Sequence, residues 1–360
     1  MELKNNIQKP VNLLSKKLNM SLKNLNATKI PKNLSLKLSN KKIKRLFNTF
    51  EKNIKIKQAF IVAVSGGPDS LALAFFTKVY SIKYNLRCRY FIVDHKLRKE
   101  STKEAKKVKK ILSNFNIKAE ILTWNGKKPS KNIQSLARKK RYDLLFSKCK
   151  KLKISNLIIG HHLDDLFENF FIRMIRGSGL KGLVSLEKKT NISSINLIRP
   201  LLDFEKKNLE FVSSYVFDFF VRDPSNENTV FQRIKIRNLI QEFKKKGLDK
   251  DKLLLTLKNL KKSNQALNFY VKKNKELNSF LDKKNRELVL NELFFSQPYE
   301  VVFRSLSDSL KIIGGKYNFT RGKKIDHILD KINKNSLKKE TLAGCVLKKV
   351  NQTVIITKED

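Results

Sequence analysis

Cysteine, tryptophan, proline and glycine are all sparse in this chain. Its 360 residues include three cysteines, one tryptophan, seven prolines and twelve glycines. Cys88, Cys149 and Cys345 lie far apart and form no CxxC pair. That spacing argues against a disulfide framework or a zinc site and fits a reducing, cytoplasmic setting. No apolar run reaches the length of a transmembrane helix, so a membrane protein is not expected. The opening residues MELKNNIQKP lack the apolar centre of a signal peptide. The deficit with most consequence is in acids: 32 Asp+Glu stand against 78 Lys+Arg, a formal net charge of +46. Enrichment in Lys, Asn and Ile accounts for some lysines as solvated surface. The excess still points to a polyanionic partner, and nucleic acid is the expectation.

What is present is a chain long enough for two or three domains, with 41% hydrophobic residues. Residues 1–45 read as a basic, partly disordered extension, with a helix expected from Lys41 to Phe50. Residues 46–240 read as an α/β domain. Within it, apolar strands such as FIVAV, RCRYFIVDH, KAEILTW and NLIIG alternate with amphipathic helices, which argues βαβ units and a parallel sheet. Residues 241–286 are Lys-rich with helical periodicity and read as a helical linker. Residues 287–360 read as a small α+β domain with helices Tyr299–Ile313 and Gly322–Lys334 and strands GCVLKKV and TVIITK.

Ligands of parallel sheets bind beyond the carboxyl ends of the strands. Three such ends carry polar punctuation here: SGGPDS, VDH and IGHHLDD. In SGGPDS, Ser65 and Ser70 offer hydroxyls, Gly66 and Gly67 permit close approach, and Pro68, Asp69 and Ser70 open a helix. The positive end of that helix favours a phosphate. An acid beside phosphates needs a cation between them, so Mg²⁺ is expected with Asp69. The loop is not a GxxxxGK[ST] P-loop, because no lysine follows the second glycine. A glycine turn capped by Asp and Ser is the plain structural alternative.

SGGPDS, VDHKLRKES, SLARKKRYDLL, GHHLDDLFENFFIRMIRGSGLKGL, RPLLDFEK and RDPSNENTVFQRIKIR together resemble the tRNA(Ile)-lysidine synthetase family, a branch of the N-type ATP pyrophosphatases of the PP-loop superfamily. The resemblance is strong over about residues 58–240 and loose beyond. It implies a Rossmann-like PP-loop ATPase domain. The implied activity is a carbon–nitrogen ligase: ATP adenylates O2 of the wobble cytidine in the CAU anticodon of tRNA(Ile). Free L-lysine then displaces AMP at C2, which changes decoding from AUG to AUA. Family members are often dimers, so the resemblance leaves a homodimer open.

The resemblance also assigns candidate residues. Ser65, Gly66, Gly67, Pro68, Asp69, Ser70, Val93, Asp94, His95, Gly160 and His161 are implied for ATP. Asp69 and Asp165 are implied for Mg²⁺, and Asp164, Asp165 and Glu168 for the lysine. Asp69, Asp165, Glu168 and Arg233 are implied for catalysis, with Asp165 or Glu168 accepting the amine proton. Arg138, Arg141, Arg173, Arg176 and Arg237 are implied for tRNA. By helical spacing His161, Asp165 and Glu168 share a face, and His161 or His162 is expected at phosphate or the activated base. The chain departs from the family pattern at Asn169, where many members have Thr. It also ends before a further RNA-binding domain carried by longer members; the N-terminal extension and linker are expected to compensate. The rival readings are a PP-loop tRNA thiolase and a non-catalytic basic RNA-binding protein.

Overall fold

A computed structural model describes residues 30–98, 100–126, 133–192, 194–221, 232–282, 287–315 and 322–359. Residues 1–29 of the expected extension and most of RDPSNENTVFQ lie outside them. Strand β1 (Phe60–Val64) is central to the first unit, and its composition explains why. FIVAV has no polar residue, so both faces must be covered. Phe60, Val62 and Val64 enter one apolar cluster and Ile61 enters another on the opposite face. This period-two division is that of a strand held between two helical layers.

The first unit lies within Met1–Gly177 and Ser185–Glu242. It holds α1 (Lys32–Leu38), α2 (Lys41–Ile54), β1, α3 (Pro68–Lys83), β2 (Cys88–Asp94), α4 (Ser101–Ser113) and β3 (Ala119–Thr123). It continues with α5 (Ile133–Lys151), β4 (Asn156–Ile158) and α6 (Leu163–Ile175). The short α7 (Leu180–Leu183) belongs to the second unit, after which come β5 (Lys189–Ile192), β6 (Ile195–Ile198), α8 (Lys206–Phe217) and the start of α9 (Gln232–Lys245). The strand order is β3-β2-β1-β4-β6-β5. All neighbours are parallel except β5, which forms an antiparallel edge hairpin with β6 that the sequence reading did not anticipate. From β1 the chain builds outward through β2 and β3, then crosses to β4 on the other side of β1. The carboxyl ends of β1 and β4 therefore flank the topological switch point, where ligands of such sheets bind.

The expected extension is partly core. Asn40 caps α2 by accepting from the Lys42 and Ile43 amides, and Ile43, Phe47, Phe50 and Ile54 repeat at three- and four-residue spacing and are buried. Phe50 meets Phe76 of α3 at 5.3 Å between ring centroids. Leu34 of α1 is fully buried in the same cluster. The boundary placed after residue 45 thus falls inside a helix, because an amphipathic stripe with few acids reads as charged tail when lysines crowd its outer face.

The second unit comprises Ser178–Val184 and Phe243–Asp360. Besides α7 it contains α10 (Lys250–Asn278), β7 (Ser279–Asp282), β8 (Glu287–Leu290), α11 (Glu292–Phe295), α12 (Tyr299–Gly314), α13 (Gly322–Asn333), β9 (Lys339–Leu342), β10 (Cys345–Val350) and β11 (Thr353–Lys358). Its sheet is antiparallel, in the order β7-β8-β11-β10-β9. The expected linker is integral to this unit. Buried Leu257 and Val271 line α10, Asn264 accepts from the Arg304 guanidinium of α12 at 2.6 Å, and Asn274 donates to Ser305 at 3.2 Å. The boundary expected at 286 would separate β7 from its hairpin partner β8. No helix among the described residues is long and apolar enough to cross a membrane.

Leu34→Ala tests whether α1 belongs to the fold. It is expected to destabilise the protein by about 2–4 kcal/mol in denaturant unfolding, as for a buried leucine; a surface helix would lose under about 0.5 kcal/mol.

Candidate active site

Between Val64 and Pro68 only Ser65, Gly66 and Gly67 turn the chain from β1 into α3. Gly66 has φ +88°, and a Cβ there would stand 2.6 Å from Val108 Cγ2 and 3.0 Å from Val221 Cγ2. Both the backbone angle and the space demand glycine. Pro68 occupies the first helical turn, where a missing N–H is harmless. Ser70 Oγ accepts from the Ser65 and Gly66 amides at 3.1 and 3.0 Å and donates to the Gly67 carbonyl at 2.9 Å. The Ser70 hydroxyl thus shapes the loop from within. At the neighbouring strand end, a Cβ on Gly160 would lie 3.3 Å from the Asp69 carbonyl. Glycine at 160 lets the first turn of α3 settle against the β4–α6 loop.

That contact brings the first acids together. Helix α6 begins at Leu163, so both histidines precede it, and His161 does not share a helical face with Asp165 and Glu168. His162 is the N-cap: its Nδ1 accepts from the Asp164 amide at 3.2 Å, while Asp165 Oδ2 accepts from the His162 amide at 3.0 Å. This reciprocal capping box satisfies two amides that the helix leaves open. With Nδ1 accepting, the neutral ring carries its proton on Nε2, which faces Asp69 Oδ2 at 3.6 Å and Asp165 Oδ2 at 3.7 Å.

The two carboxylates are driven apart in acidity. Burial pushes Asp69 up to about 6; His162 opposes this and the nearby Asp165 charge adds to it. Burial also works to raise Asp165, but His162, His161, the His162 amide and Arg233 outweigh it and hold that carboxyl below its usual range. Arg233 Nη1 stands 3.9 Å from Asp165 Oδ1. Among the described residues, the buried Asp69 Oδ1 has no hydrogen-bond partner. Among the described residues no group of three or more His, Cys, Asp or Glu side chains is arranged to hold a metal ion. A pair of carboxylates, one with an orphaned oxygen, fits instead a hard divalent cation that completes its shell with phosphate and water.

The other expected residues divide. Glu168 is 1% exposed and accepts from Arg237, Nε at 2.5 Å and Nη2 at 3.5 Å. Burial raises the Glu168 pKa against that pairing, and Arg237, expected at tRNA, is committed to it. Asp94 has a structural role. It accepts from the Lys96 amide and the hydroxyls of Ser101 and Thr102, tying the β2–α4 loop. His95 lies beside it with a buried, unpartnered Nδ1; burial and then Arg141 lower its pKa. Val93 is half-buried and packs with the second apolar cluster. Arg138 and Arg141 both approach the Tyr142 ring, at 5.4 and 6.0 Å, and their charges act on His161 and His95 respectively. Arg173 and Arg176 are exposed at the end of α6, and Asp164 is half-exposed in its first turn.

One residue that the sequence reading passed over is Arg199. It stands at the carboxyl end of β6, is buried, and donates through Nε to His161 Nδ1 at 3.1 Å. A charged residue directly after an apolar strand, at the head of RPLLDFEK, was the available signal.

Residues 36–243 match the family model of the PP-loop domain. The tRNA(Ile)-lysidine synthase of Orientia tsutsugamushi (strain Boryong) is 33% identical over 327 residues, 87% of this chain and 71% of that one. That of Wolbachia sp. subsp. Brugia malayi (strain TRS) is 31% identical over 307 residues, 83% of this chain and 70% of that one. Among solved structures, a U34-tRNA thiolase from Methanococcus maripaludis superposes with a TM-score of 0.53 at 17% identity, covering 61% of this chain and 78% of that chain, a likeness of fold alone. With both the family model and relatives above 30% identity spanning most of its length, the chain belongs to the tRNA(Ile)-lysidine synthase family of PP-loop proteins.

Proposed function

We propose that this protein uses ATP to join free L-lysine to C2 of the wobble cytidine in the CAU anticodon of tRNA(Ile). The observation that carries the reading is the meeting of Asp69, His162 and Asp165 beside the Ser65–Gly67 loop at the switch point of the sheet, in a chain of this family. In the first half-reaction cytidine O2 attacks the α-phosphorus and pyrophosphate leaves. In the second the lysine ε-amine attacks C2, AMP departs with the O2 oxygen, and the amine proton passes to a carboxylate or to solvent. Adenylation makes a poor leaving group into a good one.

Each residue has its part in this chemistry. The loop and the N-terminal turn of α3 cradle the phosphates, with Gly160–His161 beside them and Val93–His95 at the nucleotide's other end. Asp69 and Asp165 would hold Mg²⁺, which when bound offsets charge on the leaving pyrophosphate. Asp164 and Asp165 draw the cationic lysine, and Asp165, kept ionised, is the acceptor for its proton. Glu168 serves by fixing Arg237, so that its part in lysine binding is indirect. Arg233 faces the adenylate, while Arg138, Arg141, Arg173 and Arg176 face tRNA. An extruded, unpaired base is what such a pocket can reach. The excess of basic residues fits a tRNA partner, and binding should weaken as salt rises because phosphate contacts release counterions.

The direct test is AMP and pyrophosphate release from α-labelled ATP with a tRNA(Ile) transcript, with and without lysine. Lysine-dependent AMP formation is expected, and Asp69→Asn or Asp165→Asn should lower it about a hundred-fold or more. Cleavage only between the outer two phosphates would rule the reading out.

Asp69 should also show itself in stability. Its carboxyl ionises near 3.8 when unfolded and at about 6 when folded. The unfolded state alone loses a proton between those values, so stability falls as pH rises from about 4 to about 6 and stays lowered above. Without nucleotide or Mg²⁺, Asp69→Asn should be more stable than wild type at about pH 7 by about 1–3 kcal/mol, a gain that fades near pH 4. Equal pH profiles for the two proteins would show that Asp69 is not strained in this way.

Arg237→Met leaves Glu168 buried without its partner. A loss of about 3–5 kcal/mol is expected in urea unfolding, with much of it recovered in Glu168→Gln/Arg237→Met. If the double variant is no better than Arg237→Met, the pair is not the unit described here.

A further inference from the structure

His161 and His162 are adjacent, yet their ring nitrogens are fixed by different partners. The Asp164 amide fixes His162, and the buried Arg199 side chain fixes His161. Arg199 is itself held: Nη1 donates to the Glu187 carbonyl at 2.8 Å and to Thr190 Oγ1 at 2.9 Å, so that β5 and its approach brace the guanidinium. A guanidinium offers five donors and no acceptor, and it stays charged. The His161 nitrogen that meets Arg199 Nε must therefore present a lone pair. The ring's one proton is confined to Nε2, and an imidazolium would set N–H against N–H.

The surroundings act the same way. Burial, and then the charges of Arg138 on α5, Arg199 after β6 and Arg233 on α9, lower the His161 pKa to about 3, with Asp165 on α6 opposing them. A ring in this setting is a neutral donor that does not become a base.

We propose that Arg199 is a positioning residue that locks His161 as the Nε2–H tautomer, making His161 a standing hydrogen-bond donor to an anionic oxygen of the bound nucleotide. The assignment of the acceptor rests on the ATP reading above; the tautomer lock does not. A neutral donor suits that place. Three arginines already act on the ring, and a fourth positive charge would tighten the ground-state phosphates as much as the transition state. A fixed dipole gains most as charge develops on the departing group.

The test uses the full chain labelled with ¹⁵N-histidine. Its four histidines give a spectrum simple enough for His161 to be assigned by its loss in His161→Gln. At about pH 7.5, long-range ¹H–¹⁵N correlations should show His161 protonated on Nε2 and bare on Nδ1. Arg199→Met should convert that signal to a mixture of forms. Thr190→Val, which cuts only the brace, should leave it intact, and Arg199→Lys should restore it in part. In parallel, kcat for lysine-dependent AMP release should fall about ten- to a hundred-fold in Arg199→Met, with KM for ATP moving less than about three-fold. A proton on His161 Nδ1 in wild type overturns the proposal. So does an Arg199→Met protein that loses activity while the tautomer stays fixed, because Arg199 would then be a brace for β5 only. Should Arg199→Met fail to fold by circular dichroism, the wild-type and Arg199→Lys spectra decide. The expected tautomer in a protein that releases no lysine-dependent AMP would overturn the proposed function and uphold the lock.

Discussion

Two carboxylates and an imidazole share one small space at the switch point of the sheet, and that crowding governs the rest of the first unit. His162 Nε2 stands 3.6 Å from Asp69 and 3.7 Å from Asp165. Acids this close cannot both ionise without cost, so one is pushed up to about 6 while the other is held low. The dipole of α3 and one imidazole proton offset part of the negative charge, and the unpartnered Asp69 Oδ1 marks what is left. The chain carries a net charge of +46, and Arg233 stands 3.9 Å from Asp165.

The geometry that maintains this crowding is made of small residues and backbone. Gly66 admits the close approach of Val108 and Val221, and Gly160 admits the backbone of Asp69. Ser70 ties three backbone groups of the loop with one hydroxyl. Ser213 of α8 donates to the Pro68 carbonyl from outside, holding the first turn of α3 in place. The Ser70 hydroxyl thus shapes its loop, and the Asp94 carboxylate does the same for the β2–α4 loop.

How much of this was legible follows from what each signal depends on. The alternation of strands and helices over residues 60–198 was readable because FIVAV and NLIIG are apolar on both faces and their neighbours are amphipathic. The loop was readable because short spacing sets its geometry, whereas the helical face expected for His161, Asp165 and Glu168 failed because α6 starts only at Leu163. The pairing of Glu168 with Arg237 was not, since 69 residues separate them and only the fold joins α6 to α9. The role of Arg199 was hidden for the same reason. Leu34 was misread through composition: lysines around it suggested a tail, while its burial needed α3 to give it meaning. In the second unit, residues 241–286 read as a linker because the partners of Asn264 and Asn274, Arg304 and Ser305, lie 40 and 31 residues further along the chain.

The likeness in fold to a tRNA thiolase sharpens what distinguishes the chemistry, because a shared sheet does not carry a shared nucleophile. Sulfur transfer through a protein thiol needs an accessible thiolate, favoured by nearby positive charge or a helix N-terminus. Here burial pushes the Cys149 thiol up to about 11. Cys345 is buried in the second unit, where its Sγ contacts the Leu310 carbonyl. Cys88 lies at the amino end of β2, the edge of the sheet away from the loop, and donates to Tyr90. None of the three is placed to attack an activated base. The groups gathered at the mouth of β1 and β4 are two acids and an imidazole instead. A protein thiol is therefore not among the groups gathered at this site.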